Sequence, residues 1–315
     1  PPRSTLFPYT TLFRSVAGLV LALPPLVLIY YSYDIYTSRA RERVTFDAER
    51  DSFHKELADS VALHDELRAA QLKVAAEIER ARRIQTDLLP TSVPDVDGIE
   101  LEQRIEFLGD MGGDYYDYIP FGDGRLGIVC GDVMGKGLAA ALIMAMARSL
   151  LHDAIAPGKT AGDVLAEVND GLTRDLEGQR LPYFLTLALA VYDPSDRSLV
   201  IAGGGHNPVL IAGEDGISRV PSRGAALGVR TGLRFPEDVA VLTEGATVAL
   251  YTDGLTEARD PEGSLYGLER LERSLEGCQN QSVRDTLDGV WDEVAAFRGG
   301  GAPTDDATLL LVRLV

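Results

Sequence analysis

The hydrophobic pattern divides the chain into three regions of different character. An uncharged apolar run, VAGLVLALPPLVLIYY, covers residues 16–31, and a polar stretch without Gly or Pro follows from about Thr37 to Leu89. Beyond Gly98, short apolar runs recur between Gly, Pro and Asp residues. This order predicts a membrane-type segment, one long helix and a domain rich in β-strands.

The apolar run predicts a truncated transmembrane segment over residues 16–33. Its 16 uncharged residues fall slightly short of the about 20 that a helical span needs. Tyrosines near its end suit the membrane interface, and the arginines within 39–43 place the following residues in the cytoplasm. We therefore expect a cell inner membrane protein, with one span or more and a cytoplasmic C-terminal domain. The alternatives are a buried core helix and a signal peptide, for which Tyr-Tyr-Ser-Tyr-Asp is a poor cleavage site.

Residues 1–15 do not fit this plan. The stretch TLFPYTTLFRS, residues 5–15, has no clear period and resembles the translation of a sequencing-library adapter. A genuine extracytoplasmic tail is the alternative. We exclude residues 1–15 from the fold prediction as a probable adapter artefact. We also expect that the N-terminal end has been cut, so that the membrane segment is shortened and an upstream sensor region is missing.

The helix predicted over residues 37–90 carries a heptad seam. Along it, apolar residues recur at alternating spacings of four and three over about four heptads, interrupted only by Glu77. The pattern predicts a coiled-coil signalling or linker helix and a homodimer, although an amphipathic helix packed on its own domain would look similar. Pro90 should end the helix, and TSVPDVDG should form a linker. The seam positions are Leu63, Leu67, Ala70, Val74, Glu77, Ala81, Ile84 and Leu88.

Residues 98–315 predict an α+β domain. Thr160 and Ser282 are expected N-caps of two of its helices. Because the strand-like runs cluster instead of alternating strictly with helices, we expect antiparallel sheets covered by helices, not a parallel Rossmann sheet. The predicted strands are 99–107, 125–132, 183–193, 198–205, 208–213, 246–254 and 307–315. The predicted helices are 137–156, 161–177, 265–276 and 282–297.

Charge and cysteine content narrow the classes of function. The net charge of −18 argues against nucleic acid as a partner, because a chain this acidic is repelled by phosphate backbones. A surplus of carboxylates suits divalent cations instead. The two cysteines, Cys130 and Cys278, lack CxxC spacing, which predicts reduced, buried thiols and not a zinc site.

Acidic residues far apart in the sequence stand at the ends of predicted strands, each beside Gly or a turn residue. In a sandwich, such ends can meet at one edge, where the carboxylates would repel and raise their own pKa values unless cations neutralise them. All-oxygen ligands point to Mg²⁺ or Mn²⁺, whereas a single Asp in a loop more often forms a turn. The positions are Asp114, Asp132, Asp253 and the adjacent pair Asp305 and Asp306.

Five motifs, in order, resemble the metal-dependent PPM protein phosphatases (protein phosphatase 2C-like), and more narrowly their SpoIIE/RsbU branch. They are GGDYYD (112–117), GDVMGKGLAAALIMA (131–145), AGGGHNP (202–208), LYTDGLTEA (250–258) and TDDATLLLV (304–312). The helix ARRIQTDLLP (81–90) also resembles the element that precedes the catalytic domain in that branch. The resemblance covers residues 81–315 and implies a central antiparallel β-sandwich flanked by helices.

The same resemblance implies a site for two Mn²⁺ or Mg²⁺ ions at one edge of the sandwich. Asp132 would bridge both ions, Asp114 would serve one, and Asp253 and Asp305 would serve the other. The backbone carbonyl of Val133 would also face a metal. Hydrolysis of phosphoserine or phosphothreonine would use a metal-activated water, with no covalent enzyme intermediate.

Other residues near the motifs receive weaker assignments. Asp306 is the alternative to Asp305, and His206 is either a proton donor to the leaving oxygen or a residue that pins its loop. Gly112 and Gly113 should let backbone approach the edge where a Cβ would obstruct it. Two more acids, Asp110 and Asp117, are expected in turn or supporting positions, and His54, His64 and His152 on helix surfaces. The phosphate-gripping arginine of the family's eukaryotic members has no match.

The resemblance also implies a partner and a mode of control. The substrate would be a phosphorylated STAS-domain protein, an anti-anti-sigma factor, and the N-terminal helix would regulate its hydrolysis. The alternative is a catalytically silent PPM-fold module that binds a signalling partner, against which the presence of all four expected acids argues. GGDYYD also resembles a diguanylate cyclase motif, but that interpretation leaves the downstream motifs unexplained. GDVMGKG also resembles a P-loop, but it is one residue short between its glycines and has Gly137 where Ser or Thr should bind Mg²⁺.

Overall fold

The computed structural model describes residues 9–177, 183–277 and 281–315, with side chains described at residue 25 and from residue 27 onwards. Tertiary contacts divide the chain into two units, one reaching Val74 and one beginning at Ala75. Cys278 and residues 1–8 of the predicted artefact lie outside the described residues.

A single long helix, α1 (Tyr9–Leu88), accounts for about a quarter of the chain, at its N-terminal end. Its end at Leu88, two residues before Pro90, confirms the predicted helix stop, because proline removes a backbone donor and clashes with the preceding turn. The predicted membrane segment at 16–33 falls within α1, but the side chains of 16–24 and of residue 26 lie outside the described ones. Among the described residues, the helix apolar and long enough to cross a membrane is Gly137–Ala154.

The second unit contains two five-stranded antiparallel sheets, which confirms the α+β class and the antiparallel pairing. One sheet has the order β1-β10-β9-β6-β7 and the other the order β2-β3-β4-β5-β8. The strands are β1 Ile99–Glu106, β2 Asp114–Pro120, β3 Leu126–Val133, β4 Leu185–Asp193, β5 Ser198–Gly204, β6 Val209–Gly213, β7 Gly216–Val220, β8 Glu237–Val241, β9 Thr247–Tyr251 and β10 Ala307–Leu314.

Helices cover both sheets. α2 (Gly137–Ala154) and α3 (Ala161–Leu176) pack on the β2–β5 sheet, whereas α5 (Leu268–Gly277) and α6 (Val283–Phe297) pack on the other. A four-residue helix, α4 (Asp253–Thr256), follows β9. Seven buried side chains make α2 a core helix of this domain. The expected N-caps are confirmed, since Thr160 Oγ1 accepts from Asp163 N at 3.2 Å and Ser282 Oγ from Asp285 N at 3.1 Å.

Strand β10 shows how the core is built. Leu310, Val312 and Leu314 belong to the core between the sheets, while Leu309 and Leu311 join the cluster beneath α5 and α6. Successive side chains on a strand point to opposite faces, so a strand buried on both faces needs an unbroken apolar run. Residues 309–312, LLLV, meet this requirement, and β10 lies between β1 and β9.

Candidate metal centre at one edge of the sandwich

Two of the predicted acids face each other across neighbouring strands. Asp114 begins β2, Asp132 lies near the end of β3, and the two are direct partners in the antiparallel register. Side chains directly opposite each other have Cβ atoms about 4.5–5.5 Å apart, and like charges in such a pair are destabilising. The pairing therefore calls for a reason other than stability of the sheet.

Asp114 also connects the two sheets. Its Oδ2 accepts hydrogen bonds from Thr252 Oγ1 at 2.7 Å and from Thr308 Oγ1 at 2.6 Å. Thr252 directly follows β9 and Thr308 lies in β10, so both donors belong to the opposite sheet. The Asp114 residue is 1% exposed. The sequence analysis did not single out either threonine, although each stands beside one of the acidic motifs.

The remaining two acids, Asp253 and Asp305, lie next to strands of the second sheet. Asp253 comes immediately after Thr252 and opens α4, and Asp305 lies two residues before β10. The negative charges of both act on Asp132. The loops that carry them touch closely, because a Cβ on Gly254 would lie only 1.8 Å from the Asp306 carbonyl oxygen. Glycine is thus required where α4 passes the start of β10.

Asp305 and Asp306 have different surroundings. The buried Asp306 carboxylate accepts from Leu108 N and from Gly113 N, each at 2.8 Å. These bonds fix the loop before Asp114 and leave Asp306 occupied with backbone donors. The Asp305 side chain is 43% exposed and faces the other acids. Asp305 is therefore the better placed of the two to reach a cation.

The expected role of the paired glycines is confirmed. A Cβ on Gly112 would lie 2.1 Å from Asp306 Oδ2, and a Cβ on Gly113 would lie 2.6 Å from the Val133 carbonyl oxygen. The same Gly113 Cβ would lie 3.2 Å from Asp132 Oδ1. Any side chain at these positions would enter the space that the carboxylates border.

The carboxylates raise one another's pKa values. Burial raises the pKa of Asp132 to about 7, with further contributions from Asp253, Asp305 and Asp306 that Lys136 opposes. The pKa of Asp114 lies well above its usual value because of burial and the nearby Asp132, against which the two threonine hydroxyls act. The pKa of Asp253 is also raised, again mainly by burial. This edge holds more negative charge than its surroundings compensate.

The donor set fits a hard divalent cation. Carboxylate and backbone oxygens are the ligands that Mg²⁺ and Mn²⁺ take, and the glycines keep the space between them clear. Across the described ranges, no three His, Cys, Asp or Glu side chains already surround a common point. Cation binding would therefore require rearrangement of side chains at an edge that already brings the acids together.

Comparison with known proteins places the chain in a family. Residues 122–315 match the family model described as "Stage II sporulation protein E (SpoIIE)". The chain belongs to the SpoIIE family. The protein IcfG of Synechocystis is 34% identical over 75% of this SpoIIE-family chain, which spans 41% of IcfG. The phosphoserine phosphatase RsbU of Bacillus subtilis is 25% identical over 79% of the chain, which spans 73% of RsbU.

A solved structure shares the fold. The SiaA-PP2C domain of Pseudomonas aeruginosa superimposes with a TM-score of 0.69 at 23% identity, covering 78% of this chain and 98% of that domain. Together with the family match, this likeness supports a serine/threonine phosphatase of the PPM type, in the SpoIIE/RsbU branch that the five motifs predicted.

His206 of the SpoIIE-family domain lies beside the edge but does not contact its carboxylates. Its Nδ1 shares a hydrogen bond with Thr186 Oγ1 at 2.9 Å, and its backbone N donates to Ser222 Oγ at 3.2 Å. Thr186 is the β4 partner of Asp132 in the sheet. Burial lowers the pKa of His206 to about 4, so the ring is neutral. These contacts suit the loop-pinning role of the two that the sequence left open.

One of the two positions expected for Asp117, a turn, is wrong. Asp117 does not lie in a turn but is buried in β2, where its Oδ2 accepts from Tyr115 Oη at 2.6 Å. His152 lies on the surface of α2, as expected, and its Nε2 lies 2.7 Å from the same Asp117 oxygen. Arg148 Nε lies 3.5 Å from it as well. Asp110, by contrast, is exposed in the preceding loop, as expected of a turn residue.

Lys136 is a site residue that the sequence analysis missed. Its Nζ lies 3.0 Å from Asp305 Oδ1 and donates to the Thr304 carbonyl oxygen at 2.9 Å. Its signal in the sequence is its place in GDVMGKG, four residues after Asp132, a stretch that belongs to one of the five PPM-like motifs and also resembles a P-loop. In the folded domain it brings a positive charge to the acidic edge.

Proposed function

We propose that this SpoIIE-family chain is a metal-dependent protein phosphatase that hydrolyses phosphoserine or phosphothreonine on a regulatory protein. The observation that carries the proposal is the convergence of four acids from both sheets at one edge of a PPM-type fold. Four like charges at one edge repel one another, and among the described residues the ion pair to these four acids is that of Asp305 with Lys136. A cation bound between these acids would explain why they lie together.

The proposed cofactors are two Mn²⁺ or Mg²⁺ ions. Asp132 would bridge them, Asp114 and the Val133 carbonyl would hold one, and Asp253 and Asp305 would hold the other. When bound, such ions polarise phosphoryl oxygens and make water a nucleophile at neutral pH.

The other residues of the edge prepare it for this chemistry. Thr252 and Thr308 hold the Asp114 carboxylate in one orientation, since both donate to the same oxygen. Asp306 fixes the loop through Leu108 N and Gly113 N. Prior orientation of charged groups reduces the reorganisation that a reaction must drive. His206, neutral and hydrogen-bonded to Thr186, would keep its loop in place and would not act as a metal ligand.

The decisive experiment measures phosphate release by the full chain from a phosphoserine protein with and without Mn²⁺. We expect Mn²⁺-dependent release that Asp253→Asn abolishes. Asp215→Asn, which removes an exposed acid in the β6–β7 turn, is the matched control and should behave as wild type. Release without added metal that survives chelation would contradict the proposal. Mn²⁺ binding by wild type with no release would favour the alternative, a silent module that binds a signalling partner.

The proposed substrate is a phosphorylated STAS-domain protein, an anti-anti-sigma factor. Support comes from membership of the SpoIIE/RsbU branch and from similarity to a phosphoserine phosphatase. A phosphorylated STAS protein should be hydrolysed with a much higher kcat/KM than a phosphoserine peptide of the same local sequence. Equal values would show that the enzyme does not recognise the STAS fold.

Control through α1 is supported by a contact at its C-terminal end. The buried Gln85 side chain donates from Nε2 to the Gly112 carbonyl oxygen at 2.7 Å and accepts from Gly112 N at 3.3 Å. Gly112 immediately precedes Gly113 and Asp114, so a change in this helical turn would act directly on the loop of the proposed metal site. Gln85→Leu should alter phosphate release while leaving the helix itself intact.

The proposed homodimer would form through the heptad seam of α1. Leu63, Leu67, Val74 and Ile84 are 56–63% exposed in the single chain, which leaves the seam available to a second helix. Inserting one alanine after Ala75 would rotate the seam by about 100° relative to the catalytic domain. We expect changed regulation with dimerisation retained, measured by phosphate release and sedimentation; unchanged regulation would contradict the proposal.

The proposed location is the cell inner membrane, with the catalytic domain in the cytoplasm. The support is the uncharged run at 16–31 followed by arginines. Membrane fractionation of the full chain, followed by protease treatment from either side, tests this topology. Recovery of the chain in the soluble fraction would contradict it.

A further inference from the structure

Lys136 lies at the acidic edge of the sandwich. The proposed phosphatase site has no other residue assigned to binding of the substrate. This lysine lies between the end of β3, which carries Asp132, and the first residue of α2. Among the described residues, the ion pair to the carboxylates of this edge comes from Lys136, through Asp305. Its side chain is 50% exposed, so the ammonium is held at the edge and still reachable from solvent.

An open cavity of about 400 Å³ leads to this lysine. Apolar side chains of Ile78, Leu108, Met111 and Leu138 contribute to its wall, and the charged residues that line it are Lys136, Asp110 and Asp306. The cavity therefore provides space beside Lys136 for a segment of a phosphorylated protein. Nothing else in the proposed function uses this space.

The charges at the edge indicate what Lys136 would bind. The four acids assigned as metal ligands contribute four negative charges, which two divalent cations balance. A phosphoserine adds about −1.5 to −2 at pH 7. Compensation of this additional charge requires a cation outside the metal pair. Lysine is well suited to the task, because its ammonium binds phosphate as a compact point charge.

We propose that Lys136 contacts the phosphoryl group of the substrate. It would bind the phosphate in this chain, where the phosphate-binding arginine of the family's eukaryotic members has no match. Asp305 and the Thr304 carbonyl oxygen hold the ammonium at the edge, where it faces both the acids and the cavity. The proposal rests on the proposed phosphatase function, because it concerns substrate binding at the same site.

The test uses inorganic phosphate as probe and compares Lys136→Met with wild type. Isothermal titration measures Mn²⁺ binding to the full chain, and phosphate binding at saturating Mn²⁺. Removing a positive charge beside Asp305 should leave Mn²⁺ affinity unchanged or increase it, because the acids then attract the cation more strongly. Phosphate affinity should fall by at least about tenfold, as expected for the loss of a charged hydrogen bond.

Two further variants separate phosphate binding from a structural role. Lys136→Arg keeps the charge and should retain most of the phosphate affinity. Lys159→Met removes a lysine that pairs with Glu167 at 2.6 Å away from the acids and should change neither affinity. Phosphate binding by Lys136→Met at wild-type strength would overturn the inference. A parallel loss of Mn²⁺ and phosphate binding would also overturn it, since that result indicates a residue that shapes the metal site.

Kinetics of the same variants distinguish failure of this inference from failure of the proposed function. If wild type releases phosphate with Mn²⁺, Lys136→Met should show a raised KM for the phosphoprotein, and an unchanged KM would overturn the role of Lys136 alone. If wild type releases no phosphate, the proposed function fails, whatever the variants show.

Discussion

Two aspartates on the same strand, Asp114 and Asp117, have nearly the same burial and very different surroundings. They are 1% and 3% exposed, three residues apart on β2. Asp117 meets His152, Arg148 and the hydroxyl of Tyr115, and its Oδ1 accepts from Tyr118 N at 2.8 Å. Asp114 meets two neutral threonine hydroxyls and faces another carboxylate, Asp132.

The comparison shows that burial alone does not identify a functional acid. The partners of Asp117 come from the protein itself and include the positively charged guanidinium of Arg148, so its charge has a partner within the fold. Asp114 is oriented but not neutralised. An acid of the second kind weakens the fold unless a ligand supplies the missing charge, and this difference in partners separates a structural carboxylate from a proposed metal ligand.

The largest expected effect is on catalysis. Asp114→Asn should lower Mn²⁺-dependent phosphate release at least about a hundredfold, because loss of residues that merely support metal ligands already costs about 10–100-fold. Asp117→Asn should retain most of the activity. Initial rates at saturating Mn²⁺ measure both variants. Similar losses of activity in the two variants would show that Asp114 does not differ from Asp117 in its role in catalysis.

The next effect concerns metal and stability. Adding Mn²⁺ at a hundredfold excess over its Kd should raise the free energy of unfolding by about 2.7 kcal/mol, since the ions bind only the folded chain. Chelation should reverse the gain. Urea titration with and without Mn²⁺ should show most of this gain absent in Asp114→Asn and present in Asp117→Asn. An equal gain in both variants would show that Asp114 is not a ligand.

A third effect should appear without metal. Asp117→Asn should lower the free energy of unfolding by about 1–3 kcal/mol, because the amide cannot satisfy all the donors around the buried carboxylate. Asp114→Asn should not lower it in the same buffer, since the amide removes a charge that faces Asp132. Urea midpoints after chelation measure both. A larger loss in Asp114→Asn would mean that Asp114 is held for stability.

The smallest expected effect is that of a control variant at Thr160, a site remote from both aspartates. Thr160→Ala removes the N-cap of α3 and should cost about 1 kcal/mol of stability with no change in phosphate release per folded molecule. Thr160→Ser should restore the loss. Reduced turnover in the alanine variant would show that activity responds to any destabilisation, and the catalytic result for Asp114 would then need correction for folding.

Much of the fold followed from the sequence, because buried strands need apolar runs that are visible in one dimension. The central strands β3, β4, β9 and β10 were predicted within a few residues. Strands β7 and β8 were missed. Both lie at sheet edges, and β8 alternates exposed and half-buried positions, so neither carries a strong hydrophobic signal.

For the candidate site, too, one part was predictable from the sequence and another was not. The motifs located the acids, since Gly and Asp at strand ends leave a recognisable pattern. They could not reveal which partners each acid meets. His152 reaches Asp117 across 35 positions, and Thr308 reaches Asp114 across 194. Such pairings depend on the packing of helix on sheet and sheet on sheet, which single residues beside a motif do not encode.

The position of β10 has a consequence for synthesis of the protein. It is the last strand of the described domain along the chain, yet it pairs with β1, the first, and with β9. Until β10 has been synthesised, β1 has no neighbour in its sheet, and exposed strand edges favour aggregation. Asp305 enters only two residues ahead of β10. A nascent chain therefore cannot assemble its acidic edge before its sheet closes, so activity would appear only after folding is complete.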